Sequence, residues 1–323
     1  MKAAVYKSYG PPEVLKVEEV AKPEIQPDGH EDRLLVRVHG ASVNPFDIYH
    51  RKGFLPIRVS NGFVTPKQQI MGIDVAGTVE AIGKNVTKFK VGDRVFGNCL
   101  GSHAEYVRVR EKAIAKIPGN LTFQEAAAVP CTALSAIQAL KDKAKVQRGQ
   151  KVLIIGASGG IGHFAVQLAR YLGAEVTAVC STSNLAWVKN LGAHHVIDYT
   201  QEDFTKNGKR YDLILDASAA RTYFSCKGSL TETGFYMTEN PTKPGFQLLQ
   251  VLFSSLAKDK QIRGPGLTQA GGENLECIRE LLEAGKIRPV VERIYALDQI
   301  AQAHRHVENG HTRGKVVIEI LKG

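Results

Sequence analysis

The sequence predicts an α/β protein of two domains, a β-barrel and a doubly wound parallel sheet. Three observations predict it. Up to about Pro118 short β-type runs alternate with Gly, Pro and Asn turns, from Thr122 onward helix and strand patterns alternate, and 323 residues suffice to bury two cores.

Taken in order, Met1 to Tyr6 reads as a strand, with neither the apolar core of a signal peptide nor an Arg/Ser-rich leader. Leu34 to Val38, Val75 to Val79 and Ala104 to Val109 follow as barrel strands. Gly53 to Gln69 is a long segment carrying Phe54, Leu55, Ile57, Phe63 and Pro66 with Arg58 and Lys67, either a rim over an apolar substrate or a surface loop packed on the barrel. Thr122 with Glu125 forms a capping box and predicts a helix through Ala139. Val152 to Ile155, Ala174 to Val179, His195 to Tyr199, Tyr211 to Asp216, Gly234 to Thr238 and Gln261 to Arg263 are the parallel strands. Helices over Asn274 to Ala284 and Leu297 to Asn309 and a strand over Lys315 to Ile320 close the chain, so the barrel domain takes 1–122 and 267–323 and the second domain 123–266.

The most informative stretch is Lys151 to Gly173, KVLIIGASGGIGHFAVQLARYLG, a buried strand, a glycine turn and an amphipathic helix. Ala157, Gly159 and Gly162 match A-x-G-x-x-G, the form in which backbone approaches a pyrophosphate and the helix start offers free N–H groups. Ala157, Ser158, Gly159, Gly160, Ile161 and Gly162 are therefore expected at the cofactor. An NAD site places an acid for the ribose 2′-hydroxyl at the end of the next strand, whereas that exit here is Cys180-Ser181-Thr182-Ser183-Asn184 and Glu175 lies at the strand's entry. Ser181, Ser183 and Asn184 then favour a 2′-phosphate, hence NADPH over NADH, although the exit also lacks an Arg or Lys and Lys189 comes over a turn later.

Lys and Arg number 42 against 32 Asp and Glu, a net charge of +10, but the basic residues are scattered and read as a solvated surface rather than a nucleic-acid site. Five cysteines without a C-x-x-C pair indicate reduced thiols and a cytoplasmic setting, and no run reaches transmembrane length.

Beyond this turn, Asn44-Pro45-Phe46-Asp47, Gly72 to Val79, Val91 to Gly97 and the closing Gly314-Lys315-Val316-Val317 together resemble the medium-chain dehydrogenase/reductase superfamily over the whole chain, in its zinc-independent quinone oxidoreductase (zeta-crystallin-like) branch. The resemblance implies a GroES-like barrel and a Rossmann domain. It also implies that zinc ligands would stand at Asn44 and in Ile73-Asp74, where none is present, and Cys131 alone cannot hold a metal that needs three ligands. The expected enzyme is zinc-free, moving hydride from NADPH to a quinone or an α,β-unsaturated carbonyl, whose conjugated oxygen takes the charge and needs only hydrogen-bond donors. The resemblance sets Asn44 beside the nicotinamide as leading donor or positioning group, Tyr49 as a possible second donor, and Asp47 as either functional or a loop support. Tyr199 belongs near the adenosine, Ala217 and Ser218 near the cofactor, and Thr238 and Asn240 along its nicotinamide half. Enoyl-thioester reductases carry a Tyr after the glycine matching Gly53, and Phe54 stands here instead. A non-enzymatic, RNA-binding or structural role is the alternative. Relatives pair edge strands into dimers, and Lys260 to Arg263 is the matching segment.

Overall fold

A computed structural model describes residues 1–26, 29–238, 261–263 and 270–321. In chain order the strands are β1 Lys2–Val5, β2 Lys16–Glu19, β3 Arg33–Val43, β4 Asp74–Ile82, β5 Arg94–Asn98, β6 Tyr106–Arg110, β7 Ile114–Lys116, β8 Lys151–Ile155, β9 Glu175–Cys180, β10 His195–Asp198, β11 Tyr211–Asp216, β12 Leu230–Thr238, β13 Ile262–Arg263, β14 Val291–Ala296 and β15 Lys315–Glu319. The helices are α1 Pro45–Lys52, α2 Leu55–Asn61, α3 Phe123–Ala127, α4 Pro130–Ile137, α5 Gly160–Tyr171, α6 Leu185–Asn190, α7 Tyr223–Cys226, α8 Gly272–Glu283 and α9 Ile300–Glu308. Among the described residues no helix is long and apolar enough to cross a membrane.

The chain divides into two compact units, Met1–Leu134 with Gln269–Gly323, and Ser135–Thr268. In the first, a seven-stranded sheet runs β14-β15-β3-β4-β5-β7, with β6 pairing β3. Alternation explains its core, because Leu34, Val36 and Val38 of β3 meet Val75 and Val79 of β4 and Val107 and Val109 of β6 on one buried face. Antiparallel register sets Ser42 opposite Asp74 and Val43 opposite Val316. Asn44 and Lys315, one residue beyond that last pair, are therefore neighbours although nearly the whole chain separates them.

The second unit is a six-stranded parallel sheet in the order β10-β9-β8-β11-β12-β13, which reverses direction between β8 and β11. That switch point opens a crevice at the carboxyl ends of the strands. Leu153, Ile155, Val179, Ile197, Ile214 and Tyr236 form its core.

Two expectations change. The β-rich first part contains α1 and α2, so the segment after Gly53 is partly helical, and its Leu55, Val59, Phe63 and Val64 are exposed. Arg58 anchors α2 by stacking over Tyr9, 4.5 Å from the ring centroid, and donating to the Gly53 carbonyl. The single helix expected from Thr122 through Ala139 breaks into α3 and α4, because Pro130 has no N–H to continue the ladder and is suited only to a new first turn. The capping box of Thr122 and Glu125 does start α3, which packs on β3 and β4 inside the first unit. Asn240, Lys260 and the expected boundary near Gly266 lie outside the described residues.

Candidate active site

The first unit gathers a polar cluster around Asp74, the opening residue of β4. Asn44 is the N-cap of α1, and Pro45 takes the first helical position, where a missing N–H costs nothing. Asp47 Oδ2 accepts the Asn44 backbone N–H at 2.8 Å. The Asn44 amide itself turns toward the sheet: Nδ2 donates to Asp74 Oδ2 at 2.9 Å and to Ser42 Oγ at 3.4 Å, while Oδ1 accepts from Lys315 Nζ at 2.5 Å. Asp74 Oδ2 also accepts the Ser42 hydroxyl and pairs with Lys315 at 3.5 Å, and its Oδ1 accepts from Asn98 Nδ2 and the Cys131 N–H. Asn44, Asp47, Asp74 and Lys315 are all at most 3% exposed, so each charge depends on these partners rather than on water.

Burial pushes the Asp47 carboxyl up to about 7, the nearby Asp74 charge adding to it and the Asn44 N–H opposing it. The Cys99 and Cys131 thiols are driven up by burial and again by Asp74. His103 is pushed down to about 4 by burial, its Nε2 lying 3.1 Å from the Ser42 carbonyl. Asn44 and Asp47 thus come together, while Tyr49, half-buried on α1, packs its ring near Phe54. Of the two roles expected for Asn44, donor or positioning group, the structure shows both ends of its amide engaged inside the protein.

In the second unit the expected cofactor residues gather at the carboxyl ends of the strands. Gly162 is required by packing, since a Cβ there would lie 2.1 Å from the Gly156 carbonyl oxygen. Gly159 caps α5 with open space around it, the nearest atom 3.4 Å from an added Cβ. The N–H groups of Gly160, Ile161 and Gly162 in the first turn have no acceptor among the described residues, the arrangement that receives an anion. Gly156, at φ +73 and backed by Ser218, was not singled out in the motif, yet it makes the turn that brings Ala157 beneath β9.

After β9, Asn184 is buried and donates to Ser181 Oγ at 2.9 Å, which leaves the Ser181 hydroxyl proton free to donate outward; Ser183 is exposed. The expectation of no acid at this exit needs correcting. Parallel register sets Asp198 of β10 beside Cys180, and its carboxylate accepts Thr182 Oγ1 at 2.6 Å and both N–H and hydroxyl of Thr200. The Thr182 hydroxyl holds Asp198 below the usual carboxylate range, so an anion braces the loop from a neighbouring strand. Tyr199 follows it, half exposed. Ala217, Ser218 and Thr238 surround buried Asp216, whose Oδ1 accepts the Ser218 N–H and hydroxyl and whose carbonyl accepts the Thr238 hydroxyl.

Comparison with known proteins agrees with both halves. A family profile described as alcohol dehydrogenase GroES-like domain matches residues 30–119, and one described as zinc-binding dehydrogenase matches 191–318. The tomato 2-methylene-furan-3-one reductase is 33% identical over 98% of this chain and 79% of its own length. The Arabidopsis thaliana NADPH-dependent alkenal/one oxidoreductase of the chloroplast is 31% identical over 98% and 79%. A solved quinone oxidoreductase from Coxiella burnetii superposes with a TM-score of 0.87, at 32% identity and 99% coverage of both chains. The chain belongs to the medium-chain dehydrogenase/reductase superfamily, in its quinone oxidoreductase branch.

Within this superfamily the zinc implied by one profile's description does not fit the residues present. Zinc takes thiolate, imidazole or carboxylate ligands, three of them at least. Asn44 offers an amide and Ile73 a hydrocarbon side chain, so neither position supplies such a ligand. The only carboxylate of the cluster that pairs with a cation, Asp74, already faces the Lys315 ammonium. Among the described residues no group of three His, Cys, Asp or Glu converges on a metal position. Lys315 and Asp74 were legible only as members of quoted motifs; their mutual role needed the register of three strands.

Proposed function

We propose that this medium-chain dehydrogenase/reductase is an NADPH-dependent, zinc-free reductase that transfers hydride to a quinone or to the β-carbon of an α,β-unsaturated carbonyl. The observation that carries the reading is the Lys315–Asn44–Asp74 cluster, a buried hydrogen-bonded ammonium and amide in a position where a zinc dehydrogenase needs ligands. Without a Lewis acid, an acceptor whose conjugation spreads the incoming charge onto oxygen is the chemistry the residues suit. The second unit binds the dinucleotide: the α5 start and the Ala157 to Gly162 turn take the pyrophosphate, Ser181 and Ser183 with Asn184 behind them take the 2′-phosphate, Tyr199 flanks the adenosine, and Ala217, Ser218 and Thr238 border the rest. The first unit binds the acceptor, with Asn44 and Asp47 fixing the start of α1 and Tyr49 as the donor toward the acceptor oxygen. Relatives named for alkenal/one and 2-methylene-furan-3-one reduction support the acceptor class.

The test is NADPH oxidation against a panel of quinones and enones, with and without a chelator, beside fluorescence titration of NADPH and NADH. Turnover with chelator-independent rates and tighter NADPH binding is expected. Ser181→Asp should reverse the cofactor preference by repelling the 2′-phosphate. Stoichiometric zinc whose removal abolishes turnover, or equal affinities for the two cofactors, would overturn the corresponding part.

A further inference from the structure

We propose that Lys315 is the positioning residue of the acceptor site, its buried ammonium locking the Asn44 amide against Asp74. The inference rests on the reading of the Asn44 region as the acceptor site.

Lys315 Nζ has three acceptors: Asn44 Oδ1 at 2.5 Å, and Asp74 Oδ2 and the Val43 carbonyl, each at 3.5 Å. A lysine side chain 3% exposed is rare, and it is retained only where partners replace water. The geometry also removes an ambiguity. An amide can be flipped to exchange its oxygen and nitrogen, but an ammonium only donates and an ionised carboxylate only accepts. With Lys315 on one side and Asp74 on the other, Asn44 has one orientation, Oδ1 toward the lysine and Nδ2 toward the carboxylate. Asn44 therefore does not cap its own helix with its side chain, and the start of α1 rests on Asp47 instead. The ammonium orients the amide, the amide bridges to the carboxylate, and the carboxylate holds Asn98 and the Cys131 N–H from two further elements. Removing the charge at Lys315 frees the amide to rotate and leaves Asp74 buried without its cation.

The experiment compares Lys315→Met, Lys315→Arg and the double variant Lys315→Met with Asp74→Asn, reading thermal stability, NADPH affinity by fluorescence, kcat and acceptor KM. In the double variant no buried carboxylate is orphaned, which keeps the comparison readable even when Lys315→Met alone is lost to instability. Positioning predicts that both variants lacking the ammonium lose about 100-fold in kcat while NADPH affinity stays at the wild-type value, and that Lys315→Arg recovers part of the loss. A double variant with wild-type kcat would overturn the proposal, because Lys315 would then serve only to neutralise Asp74. A wild-type enzyme inactive on every quinone and enone would instead defeat the functional reading. In that event a crystal structure of the double variant decides: an Asn44 amide turned from its place supports the positioning role, and an unchanged one overturns it.

Discussion

Asp47 shows how one residue's burial becomes a property of the whole protein. Its carboxyl is shifted from 3.8 to about 7, chiefly by burial, so between those values the folded state holds a proton that the unfolded chain has lost. The sign follows: the stabilisation is fully present below about pH 4 and is lost as the pH rises to 7. Asp47→Asn keeps an acceptor oxygen for the Asn44 N–H and has no proton to lose. The variant should therefore gain in Tm relative to wild type as the pH is raised from 4 to 8, with little difference at the acid end; parallel melting curves across that range would show that Asp47 does not carry this proton. The motif Asn44 to Asp47 was legible in the sequence, and with it the alternatives of a functional acid or a support. Burial to 1% exposure is what the linear pattern did not contain, since it comes from strands and helices distant in sequence.

At the scale of the element, the turn between β8 and α5 assigns different duties to its glycines. An added Cβ at Gly162 meets the Gly156 carbonyl at 2.1 Å, so Gly162→Ala should cost about 3 kcal/mol through forced backbone movement. At Gly159 the nearest atom is 3.4 Å away and the backbone is ordinary for an L-residue, so Gly159→Ala should melt with the wild type. If the turn receives the pyrophosphate as proposed, its Cβ would stand in the way, and NADPH affinity should fall at least about tenfold by the loss of contacts worth one or two hydrogen bonds. Calorimetry and fluorescence titration on the two variants separate packing from binding; an equal Tm loss in both would mean that Gly159 is a packing glycine too. The element was readable because a strand, a turn and a helix are specified by residues within a few positions of one another. The break between α3 and α4 is equally local in cause, because Pro130 ends the ladder that the capping box at Thr122 begins.

Among the described residues, β13 is the edge strand of the parallel sheet. Tyr236 N–H donates to the Gln261 carbonyl, and Ile262 pairs with Tyr236, so in a parallel ladder the peptide groups of Gln261 and Arg263 face β12 while the N–H and C=O of Ile262 face outward. An outward edge of this kind invites a second copy. The expectation is a homodimer, and light scattering should give about twice the 35.2 kDa chain mass. Ile262→Pro removes only the outward donor, leaving the pairing with β12 intact, and should release monomers. A wild-type monomer at micromolar concentration, or a dimer indifferent to the proline, would exclude this edge as the interface.

By itself the sequence determined what short-range chemistry determines: two regions of different periodicity, the glycine turn between β8 and α5, the Thr122–Glu125 cap of α3 and the residue types that stand at Asn44 and Ile73-Asp74. Tertiary structure decided who partners whom. Lys315 reaches Asn44 across 271 residues because β15, β3 and β4 are neighbours in one sheet, and Asp198 comes beside Ser181 and Thr182 because β10 lies against β9. No periodicity records such a pairing, since the side-chain pattern of a strand specifies which face is buried and not which strand will lie beside it. The physical reason is that burial is written along the chain one residue at a time, whereas a buried charge is stable only with a partner that register supplies.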